Sequence, residues 1–124
     1  LISTAYQYDA KIVGGAYRMK MDRFEYVAGM DKDGNIEKLR ECKKPQLVDY
    51  LGTGIMLIFR EVLEKMEEPW FTIIDGKDLY VMPEDFLFCK RARELGYKIA
   101  IDPMFHTKHY GAYAWKNGDS QHSY

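Results

Sequence analysis

The run Ile55-Met56-Leu57-Ile58-Phe59 is apolar without interruption and has the length of a strand. It passes directly into Arg60 to Glu68, where Val62, Leu63 and Met66 are apolar and the other residues are charged. The first pattern is that of a strand covered on both faces. The second is that of a short amphipathic helix, which Pro69 ends. A strand feeding a helix in this way commits the chain to packed layers of sheet and helix.

The flanking segments extend this layout. Leu1, Ala5 and Tyr8 share one helical face. Ile12-Val13, then Gly14-Gly15, then Ala16-Tyr17 predict a short buried strand, with a bulge or close backbone approach at the glycines. Phe24 to Met30 and Ile36 to Leu39 flank Asp33-Gly34, a dipeptide suited to a tight turn, and predict a hairpin inserted at the surface. Gln46 to Tyr50 alternates weakly, and Trp70-Phe71-Thr72-Ile73-Ile74 is β-branched and aromatic before a turn at Asp75-Gly76. Pro83 to Leu95 has the clearest helical pattern. Proline and two acids open it, Phe88, Ala92 and Leu95 form its inner stripe, and Gly96 stops it. Tyr97 to Ile101 then predicts a strand closed by Asp102-Pro103, and residues 112–124 are expected to form a mobile tail. The expected fold class is α/β, with a mixed sheet and flanking helices.

Composition narrows the function. At 124 residues, with 47% hydrophobic and 30% charged residues, the chain suits one folded domain. The longest apolar run is far short of the ~20 residues that span a bilayer, so no membrane span and no signal peptide are expected. A net charge of -1 argues against a nucleic-acid partner and against binding to anionic lipid. Cys42 and Cys89 have no metal spacing and are expected to be reduced thiols of a cytoplasmic protein. The chain starts at Leu1 rather than Met and is expected to be part of a longer protein.

Three groups could carry chemistry. Glu84 and Asp85 open a helix, where they would complement its dipole or place one carboxylate in a cleft as a general base. Their side chains point about 100° apart, and Asp85 shares the face of Phe88 and Ala92, so Asp85 leans inward. His106 and His109 follow a strand, where α/β proteins place ligands, although the pair lacks a diagnostic metal spacing. Gly52-Thr53-Gly54 is neither a P-loop nor a dinucleotide fingerprint, and is either a strand bend or a place where a ligand nears the backbone.

The order of these segments resembles the second half of family-2-like glycosyltransferases of the GT-A fold. The resemblance is carried by Ile12-Val13-Gly14-Gly15-Ala16-Tyr17-Arg18, by Val48 to Val62 with its Gly-x-Gly turn and Arg60-Glu61, and by Glu67-Glu68-Pro69-Trp70-Phe71. Pro83 to Ala92, Gly96-Tyr97-Lys98-Ile99, Asp102-Pro103 and His109-Tyr110-Gly111 complete it. It covers about residues 11–111 and implies that residues 1–111 are the acceptor-side half of a partial GT-A fold.

The resemblance implies transfer of a sugar from a nucleotide-sugar donor to a carbohydrate or other hydroxyl acceptor, with inversion. Glu84 and Asp85 fall on the family's acidic pair, and Asp85 would be the general base. Gly52, Thr53 and Gly54 would line the acceptor side, with Trp70 and Phe71 as an aromatic wall. His109, with His106 as fallback, would ligate manganese or magnesium. The family's nucleotide-binding half, with its metal-holding Asp-x-Asp, precedes this stretch, and the chain is expected to lack an Asp-x-Asp. The chain alone is therefore expected to be inactive and to self-associate through an exposed sheet edge. Two rival readings are a non-catalytic binding domain of the same fold and a metal-dependent hydrolase using Asp85, Asp102, His106 and His109.

Overall fold

The computed structural model describes residues 1–16, 27–72, 82–106, 109–110 and 114–115, with backbone alone from residue 106 onward. The chain is α/β with a mixed sheet, as the alternation of apolar strands and amphipathic helices predicts. Helix α1 (Ile2–Tyr8) leads into β1 (Ala10–Ala16). Strand β4 (Gln46–Val48), β6 (Met56–Ile58) and β7 (Lys98–His106) complete the first sheet, in the order β4-β7-β1-β6. β1 runs parallel to β7 and antiparallel to β6, and β4 is antiparallel to β7.

The two central strands are buried on both faces, and their residues alternate between two cores. Ile12, Ile99 and Ile101 point to a core shared with Phe86, Phe88, Cys89 and Ala92 of α3 (Glu84–Glu94). Val13 and Ala100 point the other way, to Ala5 of α1. The apolar run at residue 55, expected to be buried on both faces, instead forms the half-buried β6 at the margin of this sheet. The central place falls to β1, whose Gly14, Gly15 and Ala16 let its neighbours approach closely. A Cβ on Gly15 would collide with the Phe105 carbonyl oxygen and the Ile55 methyl.

The hairpin is larger than a surface insertion. β2 (Ala28–Lys32) and β3 (Asn35–Lys38) meet at Asp33-Gly34, where φ values of 52° and 86° make the expected tight turn. β5 (Tyr50–Leu51) adds a third strand, in the order β3-β2-β5. The stretch Gln46 to Tyr50 therefore divides at Asp49, giving one strand to each sheet. Phe24 at the start of the predicted hairpin, and Ile73 to Gly76, lie outside the described residues.

α2 (Arg60–Lys65) buries Val62 and ends short of the predicted Glu68, since Met66 is already extended and Pro69 is not what stops it. In α3 the inner stripe holds at Phe88 and Ala92, but Leu95 is 42% exposed because it lies beyond the helix as its C-terminal cap. β7 does not end at Asp102-Pro103. Gly15 pairs with Asp102 and Ala16 with His106, so Pro103, Met104 and Phe105 bulge out and the strand resumes. The tail boundary also shifts. β8 (His109–Tyr110) and β9 (Ala114–Trp115) pair antiparallel, so the predicted tail begins inside a ribbon whose aromatic residues favour strands. Among the described residues, no helix is long and apolar enough to cross a membrane.

Candidate functional site

The first turn of α3 faces the turn between β5 and β6. Asp85 accepts a hydrogen bond from the Phe86 amide at 2.9 Å and lies against the Thr53 amide. Burial pushes its carboxyl above the ordinary carboxylate value, the Phe86 amide pulls the other way, and the Glu84 charge adds to the rise. Glu84 itself is exposed, so the two acids diverge as their helical positions require.

Beside this pair opens a cleft of 370 Å³ lined by Thr53, Met56, Ile58, Phe71 and Glu84. Phe71 is held flat: its ring stacks on the buried Phe88 with centroids 4.6 Å apart and planes 18° from parallel. The cleft thus unites Thr53, Phe71 and Glu84 from the sequence reading, with Asp85 next to it. Met56 and Ile58 were missed. Their apolar run reads as strand core, and only the edge position turns it into a wall.

The other candidates are placed elsewhere. Trp70 does not line the cleft. Its indole N–H donates to the Leu63 and Met66 carbonyls at 3.1 Å each and so satisfies the end of α2. Arg91 fixes the same loop by donating to the carbonyls of Glu67 and Pro69. Gly52 is buried and donates its amide to the Val27 carbonyl at 2.8 Å, while Gly54 is exposed in the turn. These two glycines shape the turn, and Thr53 presents it.

Asp102 is 4% exposed. It accepts from the Thr4 hydroxyl on one oxygen and from the Met104 amide on the other. It is thus engaged beneath α1, with partners different from those of Asp85. His106 ends β7 and His109 opens β8, but both imidazoles lie outside the described residues.

An Asp-x-Asp does occur, contrary to expectation: Asp31-Lys32-Asp33. It builds the hairpin. The Asp31 carboxylate accepts from the Gly34 amide at 2.9 Å, Asp33 takes the left-handed turn conformation, and the Asp31 amide donates to Asp49 at 2.7 Å. Among the described residues, no three His, Cys, Asp or Glu side chains gather to hold a metal ion. His106 and His109, the sequence candidates for manganese or magnesium, lie outside that set of described side chains.

Both cysteines are free and buried. Burial pushes the Cys42 thiol up to about 11 and Cys89 up to about 12, which favours the protonated thiol at neutral pH. A hollow of 730 Å³ on the hairpin, between Met30 and Glu41, contains none of the candidate residues.

Comparison with protein-family models, with curated proteins and with solved structures gave no match.

Proposed function

We propose that the chain is the acceptor-side half of a glycosyltransferase of the GT-A fold, with Asp85 as the base that deprotonates the acceptor hydroxyl. The observation that carries this reading is the half-buried Asp85 carboxylate on the Thr53 amide, beside an apolar cleft with a fixed aromatic ring. The order of motifs along the chain supports it as well.

In this reading the acceptor ring lies against Phe71, which offers a flat apolar face held in place by Phe88. Its hydroxyl points to Asp85. The carboxylate takes the proton as the hydroxyl oxygen bonds to the anomeric carbon and the bond to the leaving nucleoside diphosphate breaks, inverting that centre. A base whose proton affinity is raised by burial suits the task, since efficiency grows as the pKa nears the working pH. Thr53 keeps the carboxylate oriented. Glu84 lines the cleft as well but is exposed to solvent, whereas the Asp85 carboxylate is half-buried.

The test is Asp85→Asn in the full-length protein, assayed with a panel of nucleotide sugars. Turnover is expected to fall by ~10² to 10⁴, the usual range for a lost general base, with donor affinity unchanged. Turnover equal to wild type would remove Asp85 from the mechanism. Phe71→Ala is expected to raise the acceptor KM without changing donor affinity.

A further inference from the structure

β5 is the last strand of its sheet, in the order β3-β2-β5, so among the described residues no strand pairs with its outer side. Three side chains of α3 meet the backbone there instead. Asp85 lies on the Thr53 amide. The Cys89 thiol accepts from the Leu51 amide at 3.4 Å and donates to the Leu51 carbonyl at 3.7 Å. Arg93 Nε donates to the Asp49 carbonyl at 3.0 Å, and its guanidinium also has a hydrogen bond with the Tyr50 side chain.

The contacts are regularly spaced. Asp85, Cys89 and Arg93 follow one another at every fourth residue of the helix, and their partners at every second residue of β5 and its flanks, in the opposite direction. Four helical residues advance about 6 Å and two strand residues about 6.6 Å, so the two rows keep step over three rungs. Side chains of α3 thus do for β5 what a neighbouring strand would do.

Cys89 is the middle rung and is fully buried. Leu51 is buried as well, so its N–H and C=O need partners within the protein. A thiol both accepts and donates, and this one serves both groups. Sliding α3 along β5 would leave both unpaired and carry Asp85 off Thr53. We propose that Cys89 is a positioning residue, which fixes the register of α3 on β5 and so holds the Asp85 carboxylate on the Thr53 amide. Its value for catalysis rests on the reading of Asp85 as the base, whereas the register itself does not.

Amide-proton NMR of the 124-residue chain tests the register without a substrate. The Thr53 amide signal is expected to shift as Asp85 ionises, because a charged acceptor strengthens the bond. The other titratable groups that bear on Asp85 are Glu84 and Cys89. The thiol does not ionise in acid, and Asp85→Asn isolates whatever Glu84 contributes. Cys89→Ala is expected to lose most of the Thr53 response, and Cys89→Ser, which keeps a donor and an acceptor, to regain it. Val62→Ala, a core truncation on α2, should respond as wild type does. If Cys89→Ala fails to fold, Cys89→Val, which fills the space with neither group, takes its place. A Thr53 response equal to wild type in the Ala or Val variant would overturn the proposal. So would an equal loss in Val62→Ala, since any loosening of the core would then suffice. In the full-length protein Cys89→Ala is expected to lower turnover with donor affinity unchanged. A lost Thr53 response with full turnover would leave the register standing and remove Asp85 as the base.

Discussion

The raised proton affinity of Asp85 links stability to pH in a way that can be measured without a substrate. Burial raises its pKa above the ordinary 3.8, so the folded chain holds this proton more tightly than the unfolded chain. That preference contributes stability below pH 3.8 and is lost as pH rises through the folded-state value. At neutral pH the ionised carboxylate opposes folding, and Asp85→Asn is expected to melt at or above the wild-type temperature. The gap should close in acid. An Asn variant less stable at pH 7, by a margin that acid leaves unchanged, would contradict this sign. Asp102 is more deeply buried, and its carboxyl group accepts from the Thr4 hydroxyl and the Met104 amide. Thr4→Val deletes one of those donors across a separation of 98 residues and is expected to cost about 1.5–3 kcal/mol in urea denaturation. An unchanged midpoint would mean that Asp102 finds another donor. The two acids also mark what a sequence can tell at this scale. Asp85 was legible because its cues are local: a proline, a second acid and a helical stripe. The tie from Asp102 to Thr4 was not, because nothing near Asp102 points to a residue at the other end of the chain. Trp70 and Phe71 are adjacent aromatics, and only the packed structure shows that one caps α2 while the other walls the cleft.

Elements were legible in type and much less so in partners. The helix opened by Pro83, the strand broken by glycines and the Asp33-Gly34 turn all follow from local chemistry, and all are present. The sheet neighbours are set by long-range packing. That packing moved the most apolar run to the margin and put a glycine-rich strand at the centre. Gly15 shows why the centre needs small residues. A Cβ there meets the Phe105 carbonyl, which is backbone held in the β7 bulge, whereas on Gly14 it meets chiefly the Leu51 methyl groups at 2.8 Å and 3.0 Å, which can rotate away. Gly15→Ala is therefore expected to destabilise by about 1–3 kcal/mol, as overpacking does, and Gly14→Ala by clearly less. Chemical denaturation of both variants gives the order directly. Equal losses would show that the bulge yields as easily as a side chain.

At the scale of the whole molecule, the open question is what meets the outer side of β6. β6 pairs with β1 through Ile12 opposite Ile58, Val13 opposite Leu57 and Gly14 opposite Met56. The Gly15 amide donates to Ile55 and the Phe59 amide to Lys11, so the bonds to β1 fall on the odd residues of the run. In an antiparallel pair the intervening residues turn their N–H and C=O groups away. Met56 and Ile58 thus present backbone donors and acceptors to the outer side, where no strand pairs with them among the described residues. Their side chains at the same time wall the cleft. Such an edge pairs readily with another chain. The 124-residue chain is expected to self-associate with rising concentration, as light scattering would detect. Amide exchange at Met56 and Ile58 should slow in step, while exchange at Leu57, already bonded to β1, should change little. A chain that stays monomeric across the same concentrations, with Met56 and Ile58 exchanging freely, would show that this edge is too short to recruit a partner. Protection of those two amides in the monomer would instead show that the edge is already covered within the chain.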